Sequence, residues 1–156
     1  MQLLIASVVR IAGKVTLQNA VADGATVDSV NIMVFDYYQR KAGTVDMGKA
    51  ATDAATNTHT ELTSIFKSET SDQLWSMLGM TLLPGIDDFP QKTEITSMAN
   101  AGTMQAFAHN NGMNFLSIWA IQRDNGGCPG VTDSNNCSGI TQNLWDFSHL
   151  LNPFTG

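Results

Sequence analysis

Asp36 stands at the end of an apolar run and in front of two phenols, in the stretch VNIMVFDYYQ at residues 30–39. Val30, Ile32 and Val34 alternate with Asn31, Met33 and Phe35, the pattern of a buried strand. A strand buried on both faces avoids carboxylates, so Asp36 needs a reason of its own. A second such place is Trp119 to Asp124, where another apolar run gives way to charge. Carboxylates beside aromatic rings suit a sugar: flat rings stack on the apolar face of a pyranose, and carboxylates accept hydrogen bonds from its hydroxyls. The alternatives are that Asp36 caps a helix or turn and that Trp119 is core packing; spacing alone leaves them open.

Other chemistries find less support. His59, His109 and His149 are expected on three different helices, where lone histidines are mostly solvated or capping, and HTEL at 59–62 is not H-E-x-x-H. There is no G-x-S-x-G elbow, and Asp146, Ser148 and His149 lie too close together on one helix to form a triad. No G-x-G-x-x-G or P-loop pattern occurs, and no cofactor is expected. Cys128 and Cys137 bracket the turn-rich loop CPGVTDSNNC. Nine residues apart, they can approach disulfide distance, which would suggest an exported protein; two unrelated thiols are the alternative. No further Cys or His pair with ligand spacing makes them a zinc site.

The elements that must position these residues follow from periodicity. Strands are expected at 2–9, 28–37, 75–83 and 113–122, and helices at 14–24, 47–67, 96–110 and 140–151. Gly24 stops the first helix, Asp46 is a good N-cap for the second, and Gly112 sits near the αL position that closes the third. On the second helix, Met47, Ala50, Ala51, Ala54, Leu62, Ile65 and Phe66 share a face. Strands alternating with helices imply an α/β fold with a parallel sheet and right-handed crossovers. In such folds sites form at the carboxyl ends of strands, which is where Asp36 and Trp119 fall. Four strands cannot close a barrel, so the sheet either stays open or is completed by another copy.

At 156 residues the chain has the length of one domain, 1–156, with a sizeable core. It is 43% hydrophobic and 14% charged, which argues against disorder. Its net charge is −6 and its eight Lys plus Arg are scattered, which argues against nucleic acid or an anionic membrane surface as a partner. No run is long enough to span a bilayer. The opening MQLLIASVVRIAGK lacks the basic start and cleavage site of a signal peptide, and the chain reads as beginning inside a folded unit.

Several of these stretches, in order, resemble family 18 glycoside hydrolases, the chitinases. VNIMVFDYY is similar to the family's sixth-strand motif, of the form M-x-M/Y-D-Y, and DMGKAATDAATNTHTELTSIF to the helix that follows in small secreted bacterial members. SDQLWSMLGMTLLPGIDD, with G-x-T-x-x-x-G, resembles the seventh strand, FLSIWAIQRDNGGCPG the eighth, and GITQNLWDFSHLLNPF the closing helix. The resemblance implies half of a (β/α)8 TIM barrel, strands five to eight, and an extracellular protein acting on or binding β-1,4-linked N-acetylglucosamine polymers. It implies that Met33 and Phe35 point into the barrel beneath the sugar, that Asp36 contacts the sugar and influences the catalytic carboxyls, that Tyr37 lines the cleft, and that Trp119 is the floor of the −1 subsite. Phe35 is a mild departure, since the family often has Tyr there.

The family's catalytic signature, D-x-x-D-x-D-x-E, is not in this sequence. Its three glutamates, Glu61, Glu69 and Glu94, lack that spacing. The family mechanism takes its general acid from that Glu, while the substrate's own acetamido group replaces an enzyme nucleophile. A chain without that acid is expected to bind chitooligosaccharides weakly and to hydrolyse them poorly or not at all, with partners in a second copy of itself or an N-terminal half. Two further expectations stand beside this one. The first is a non-catalytic, self-associating α/β module. The second is a hydrolase of other specificity using Asp36, Asp87, Asp88 or Asp124.

Overall fold

The computed structural model describes residues 2–6, 10–38, 45–88, 93–132 and 134–154. The order is β1 (Gln2–Ala6), α1 (Arg10–Ala22), β2 (Ser29–Met33), α2 (Met47–Ile65), α3 (Ser71–Met77), β3 (Leu78–Leu82), β4 (Gly85–Ile86), β5 (Ile95–Thr96), α4 (Met98–Asn110), β6 (Phe115–Ile118) and α5 (Asp146–Leu151). Among these residues β1, β2, β3 and β6 form one four-stranded sheet in that order, every pair parallel. The expected α/β alternation is therefore present. The end of the expected strand 2–9, most of the link at 39–45 and part of the loop at 86–93 lie outside the described residues.

Helix ends follow local chemistry. Gly24 and Gly112 adopt φ of +82° and +61°, closing α1 and α4 in the left-handed region that glycine tolerates. Asp46 accepts the Lys49 N–H at 3.0 Å, as an N-cap should. α4 carries a capping box between Ser97 and Asn100. α1 begins at Arg10 rather than near residue 14, α2 ends two residues short of the expected 67, and α5 covers only the second half of its expected span.

Two elements differ from the periodic reading. The expected strand 75–83 is a helix, α3, as far as Met77, because Thr70 and Gln73 form a reciprocal capping box that starts it. The loop before α4 contains a small antiparallel ribbon, β4–β5, pairing Gly85 with Thr96 and Ile86 with Ile95. Two-residue strands leave no alternation to read. Gly85, at φ +81°, lies against the Ser138 carbonyl where a Cβ would collide, and this lets Ile86 N–H reach Ser138 O at 2.7 Å.

The core lies between the sheet and α2–α4. Val30, Ile32, Val34, Leu78, Met80 and Leu82 are buried against Met47, Ala51, Ala55, Leu62, Ala101, Met104 and Ala108. Ala51 and Ala55 on α2, with Ala101 and Ala108 on α4, keep the facing surfaces low, and Gly48 lies close under Thr103 and Asn100. In the sheet, a Cβ on Gly79 would stand 2.5 Å from the Phe115 ring, so that glycine makes room for an aromatic on the next strand. β2 and β3 are central, while all four residues of β6 are half-exposed, as on an edge.

Candidate functional site at the carboxyl ends of the strands

The parallel register puts Met33, Thr81 and Ser117 side by side across β2, β3 and β6. Hydrogen bonds from Val34 N–H to Thr81 O (2.9 Å) and from Trp119 N–H to Leu82 O (2.8 Å) extend the ladders past the strand ends. Phe35 and Trp119 thus follow Met33 and Ser117 by two residues and rise on the same side. Together with Ile118 these residues line a cavity of about 280 Å³. Its walls are apolar, and its polar groups are the Thr81 and Ser117 hydroxyls, 2.6 Å apart. The Thr81 hydroxyl also accepts from the Asn31 amide at 2.6 Å. The Trp119–Ala120 peptide is cis, and Trp119 is 55% exposed.

Met33, Phe35 and Trp119 therefore meet at one cavity, and Thr81 and Ser117 join them. The two hydroxyl residues were not singled out from sequence; their signal is a polar side chain inside an otherwise apolar parallel strand. Asp36 and Tyr37 begin the turn immediately beyond Phe35 and are not among the lining residues. Asp36 is half-buried at φ +56°. Its backbone N–H donates to Asp87 Oδ2 at 2.9 Å, and the Tyr37 N–H donates to Glu94 Oε2 at 2.8 Å. Burial, followed by the hydrogen bond and charge of Asp87 and the charges of Asp88 and Glu94, pushes the Asp36 carboxyl up to about 7. Tyr37 packs against the core, and burial, with Glu94 and Asp53, raises its phenol further.

Asp124, Asp88 and Glu94 are structurally engaged. Asp124 is fully buried at the start of α5 and accepts from Gln142 Nε2 (2.8 Å), Phe147 N–H (3.0 Å), Ser148 N–H (2.8 Å) and the Ser148 hydroxyl (2.6 Å). With its lone pairs committed to that helix, it does not offer the free strand-end carboxylate expected of it. Asp88 pairs with the buried Arg123 at 3.6 Å. Arg123 also donates to the Pro84, Ile86 and Ser134 carbonyls, joining the end of β3 to the long loop. Glu61 lies in α2 and Glu69 before α3. Glu94, fully buried, accepts the Tyr37 amide.

His59, His109 and His149 do fall on three helices, α2, α4 and α5. His59 stacks on Trp75 with ring centroids 4.2 Å apart, and neither is among the residues that line the cavity. Cys128 and Cys137 are joined as a disulfide with Cα atoms 6.0 Å apart. Among the described residues no helix is long and apolar enough to cross a membrane.

No protein-family model matches the chain. It is 29% identical over 153 residues to a probable bifunctional chitinase/lysozyme of Escherichia coli (strain K12), covering 92% of this chain and 16% of that protein. It is 27% identical over 118 residues to endochitinase 11 of Metarhizium anisopliae, covering 72% of this chain and 22% of that one. Among solved structures, it matches active domain 2 of a thermostable chitinase from Pyrococcus furiosus, crystallised as catalytic-site mutants with chito-oligosaccharides, at a TM-score of 0.81 and 24% identity. That match covers 93% of this chain and 48% of the other. The catalytic domain of a hyperthermophilic chitinase from the same organism matches at 0.80, with 92% and 47% covered. The chain thus spans about half of the solved chains and less than a quarter of the curated relatives. It is related to chitinases, and its parallel α/β fold resembles that of a chitinase catalytic domain.

Proposed function

We propose that this chain forms the second half of a family 18 glycoside hydrolase barrel, and that its strand-end cavity takes an N-acetylglucosamine unit of chitin or a chitooligosaccharide. The observation that carries this reading is the exposed Trp119 ring on a cavity whose polar groups are two adjacent hydroxyls. An exposed indole stacks on a sugar face, and the Thr81 and Ser117 hydroxyls hydrogen-bond its substituents. Relationship to chitinases supports the choice of sugar. The sheet's two edges, β1 and β6, support completion by further strands, supplied by a second copy or by another segment. The disulfide supports an extracellular location.

The D-x-x-D-x-D-x-E signature is absent from this sequence, so binding is expected to exceed catalysis. Loss of a general acid lowers rate by roughly 10² to 10⁴. The test is titration with chitooligosaccharides followed by tryptophan fluorescence. A saturable change that weakens at least about tenfold in Trp119→Ala is the expected result. Affinity unchanged in both Trp119→Ala and Asp36→Ala would place the sugar elsewhere or nowhere. Light scattering tests completion: a dimer is expected where a second copy supplies the strands, and a stable monomer favours an open sheet.

A second reading, a non-catalytic self-associating module, draws on Ile121, Leu144 and Trp145. They are exposed by 55%, 57% and 38% in the segments that follow the edge strand β6. Self-association without any response to chitooligosaccharides would favour it.

A further inference from the structure

Two buried carboxyl groups outside the cavity lining reach back to the turn after β2. Asp87 and Glu94 face each other at the end of the β4–β5 ribbon, where Asp87 N–H donates to Glu94 O at 3.0 Å. They are 2% and 0% exposed. Each takes one of two successive backbone amides: Asp87 that of Asp36, and Glu94 that of Tyr37. The turn so held has Asp36 and Tyr38 at φ +56° and +52°, a region that side-chain-bearing residues enter only when their surroundings over-determine it. The clamp seats the buried Asp87 carboxylate against the Asp36 backbone, so that its charge lies beside the Asp36 carboxyl. The Oδ1 atom of each is buried with no hydrogen-bond partner among the described residues. Two ionised carboxylates in that position repel each other, while one shared proton turns the repulsion into a hydrogen bond.

We propose that Asp87 and Glu94 are positioning residues for Asp36. Glu94 and Asp87 fix the turn, and Asp36 holds a proton that it shares with the Asp87 carboxylate, so that the strand end presents a ligand with one negative charge rather than two. The ligand half of this inference rests on the sugar reading above; the shared proton does not. The surroundings act in the same direction. Asp88 and Glu94 add negative charge, and Arg123 is turned to Asp88. A group raised to about 7 keeps the proton through mildly acidic pH and loses it above neutrality.

The test is a ¹³C NMR titration of the side-chain carboxyls in the full chain. Asp36 is expected to titrate near neutrality. Asp87→Asn keeps an acceptor for the Asp36 amide but removes the charge, and should move that midpoint down by about one pH unit or more. Glu94→Gln should move it less and reduce protection of the Tyr37 amide from hydrogen exchange. An Asp36 midpoint in the ordinary carboxylate range, or one indifferent to Asp87→Asn, overturns the proposal. Should Asp87→Asn fail to fold, Asp36→Asn gives a second measurement: the near-neutral step must vanish with the Asp36 carboxyl, and its persistence overturns the idea. In a parallel titration with chitooligosaccharide, wild-type affinity should fall at least about threefold from pH 6 to pH 8, with the fall shifted to lower pH in Asp87→Asn. A near-neutral carboxyl without any sugar binding refutes the sugar reading and leaves the proton pair intact. Sugar binding with an ordinary Asp36 titration does the reverse.

Discussion

Asp124 accepts the backbone N–H of Phe147 at 3.0 Å, with both residues fully buried and 23 positions apart. The same carboxylate satisfies two further donors of Ser148 and one of Gln142. A side chain that stands just past a strand end, where a reacting group would be sought, is instead the clamp that starts α5. Asp124→Ala strands these donors and should cost about 3 kcal/mol, the sum of a lost cap and buried unsatisfied groups. Urea unfolding measures this directly. A stability within about 0.5 kcal/mol of wild type would show that the clamp contributes little.

The Cys128–Cys137 bridge closes a short loop, with a sequence separation of 9. On the chain-entropy account, a loop of that size contributes on the order of 2–3 kcal/mol. Reduction, or Cys128→Ser with Cys137→Ser, should lower the melting temperature by roughly 4–12 °C, taking about 2–4 °C per kcal/mol for a chain of this size. Thermal melts with and without reductant check it. The response of Trp119 to ligand should survive, because the lining residues are held by the sheet ladders.

Gly79 and Phe115 are register partners, and a Cβ on the glycine would stand 2.5 Å from the ring. Gly79→Ala should therefore destabilise by about 1–3 kcal/mol through overpacking. Adding Phe115→Leu should recover part of that loss, and a double-mutant cycle measures the coupling. Additive losses would show that the two side chains do not compete for the same space.

Asp36 makes stability depend on pH in a direction opposite to that of a salt-bridged carboxylate. Its folded-state value, about 7, lies above the ordinary 3.8, so between those pH values the folded chain holds a proton that the unfolded chain has released. Stability from this group is fully present below about pH 4, declines as pH rises, and is lost above about pH 7. Asp36→Asn cannot ionise, and Asn tolerates a positive φ well. The variant should match wild type near pH 4 and exceed it at pH 8 by on the order of 1 kcal/mol, once screening of this partly exposed group is discounted. Denaturant melts at the two pH values provide the check; an equal difference at both would remove Asp36 as the source.

Much of the scaffold was legible because its causes are local. The apolar alternation in VNIMVF, the Asp46 cap and the closing glycines Gly24 and Gly112 each act within a turn or two of chain. The α3 helix was legible in principle from Thr70 and Gln73, but the apolar run beyond it gave the stronger strand signal. The β4–β5 ribbon was not legible: two residues per strand carry no period, and what holds them is contact with Ser138 and Arg123 far along the chain.

The sequence alone therefore determined the alternation of strands and helices and the carboxyl-end positions of Asp36 and Trp119, since periodicity and chain direction require nothing beyond neighbouring residues. Only the tertiary structure decided what each strand-end group faces. Register across three strands put Thr81 and Ser117 on the cavity with Met33, and partners 51 and 57 positions away gave the amides of Asp36 and Tyr37 their buried carboxylates. Such pairings depend on how separate elements pack, and packing is a property of the whole chain rather than of any window within it.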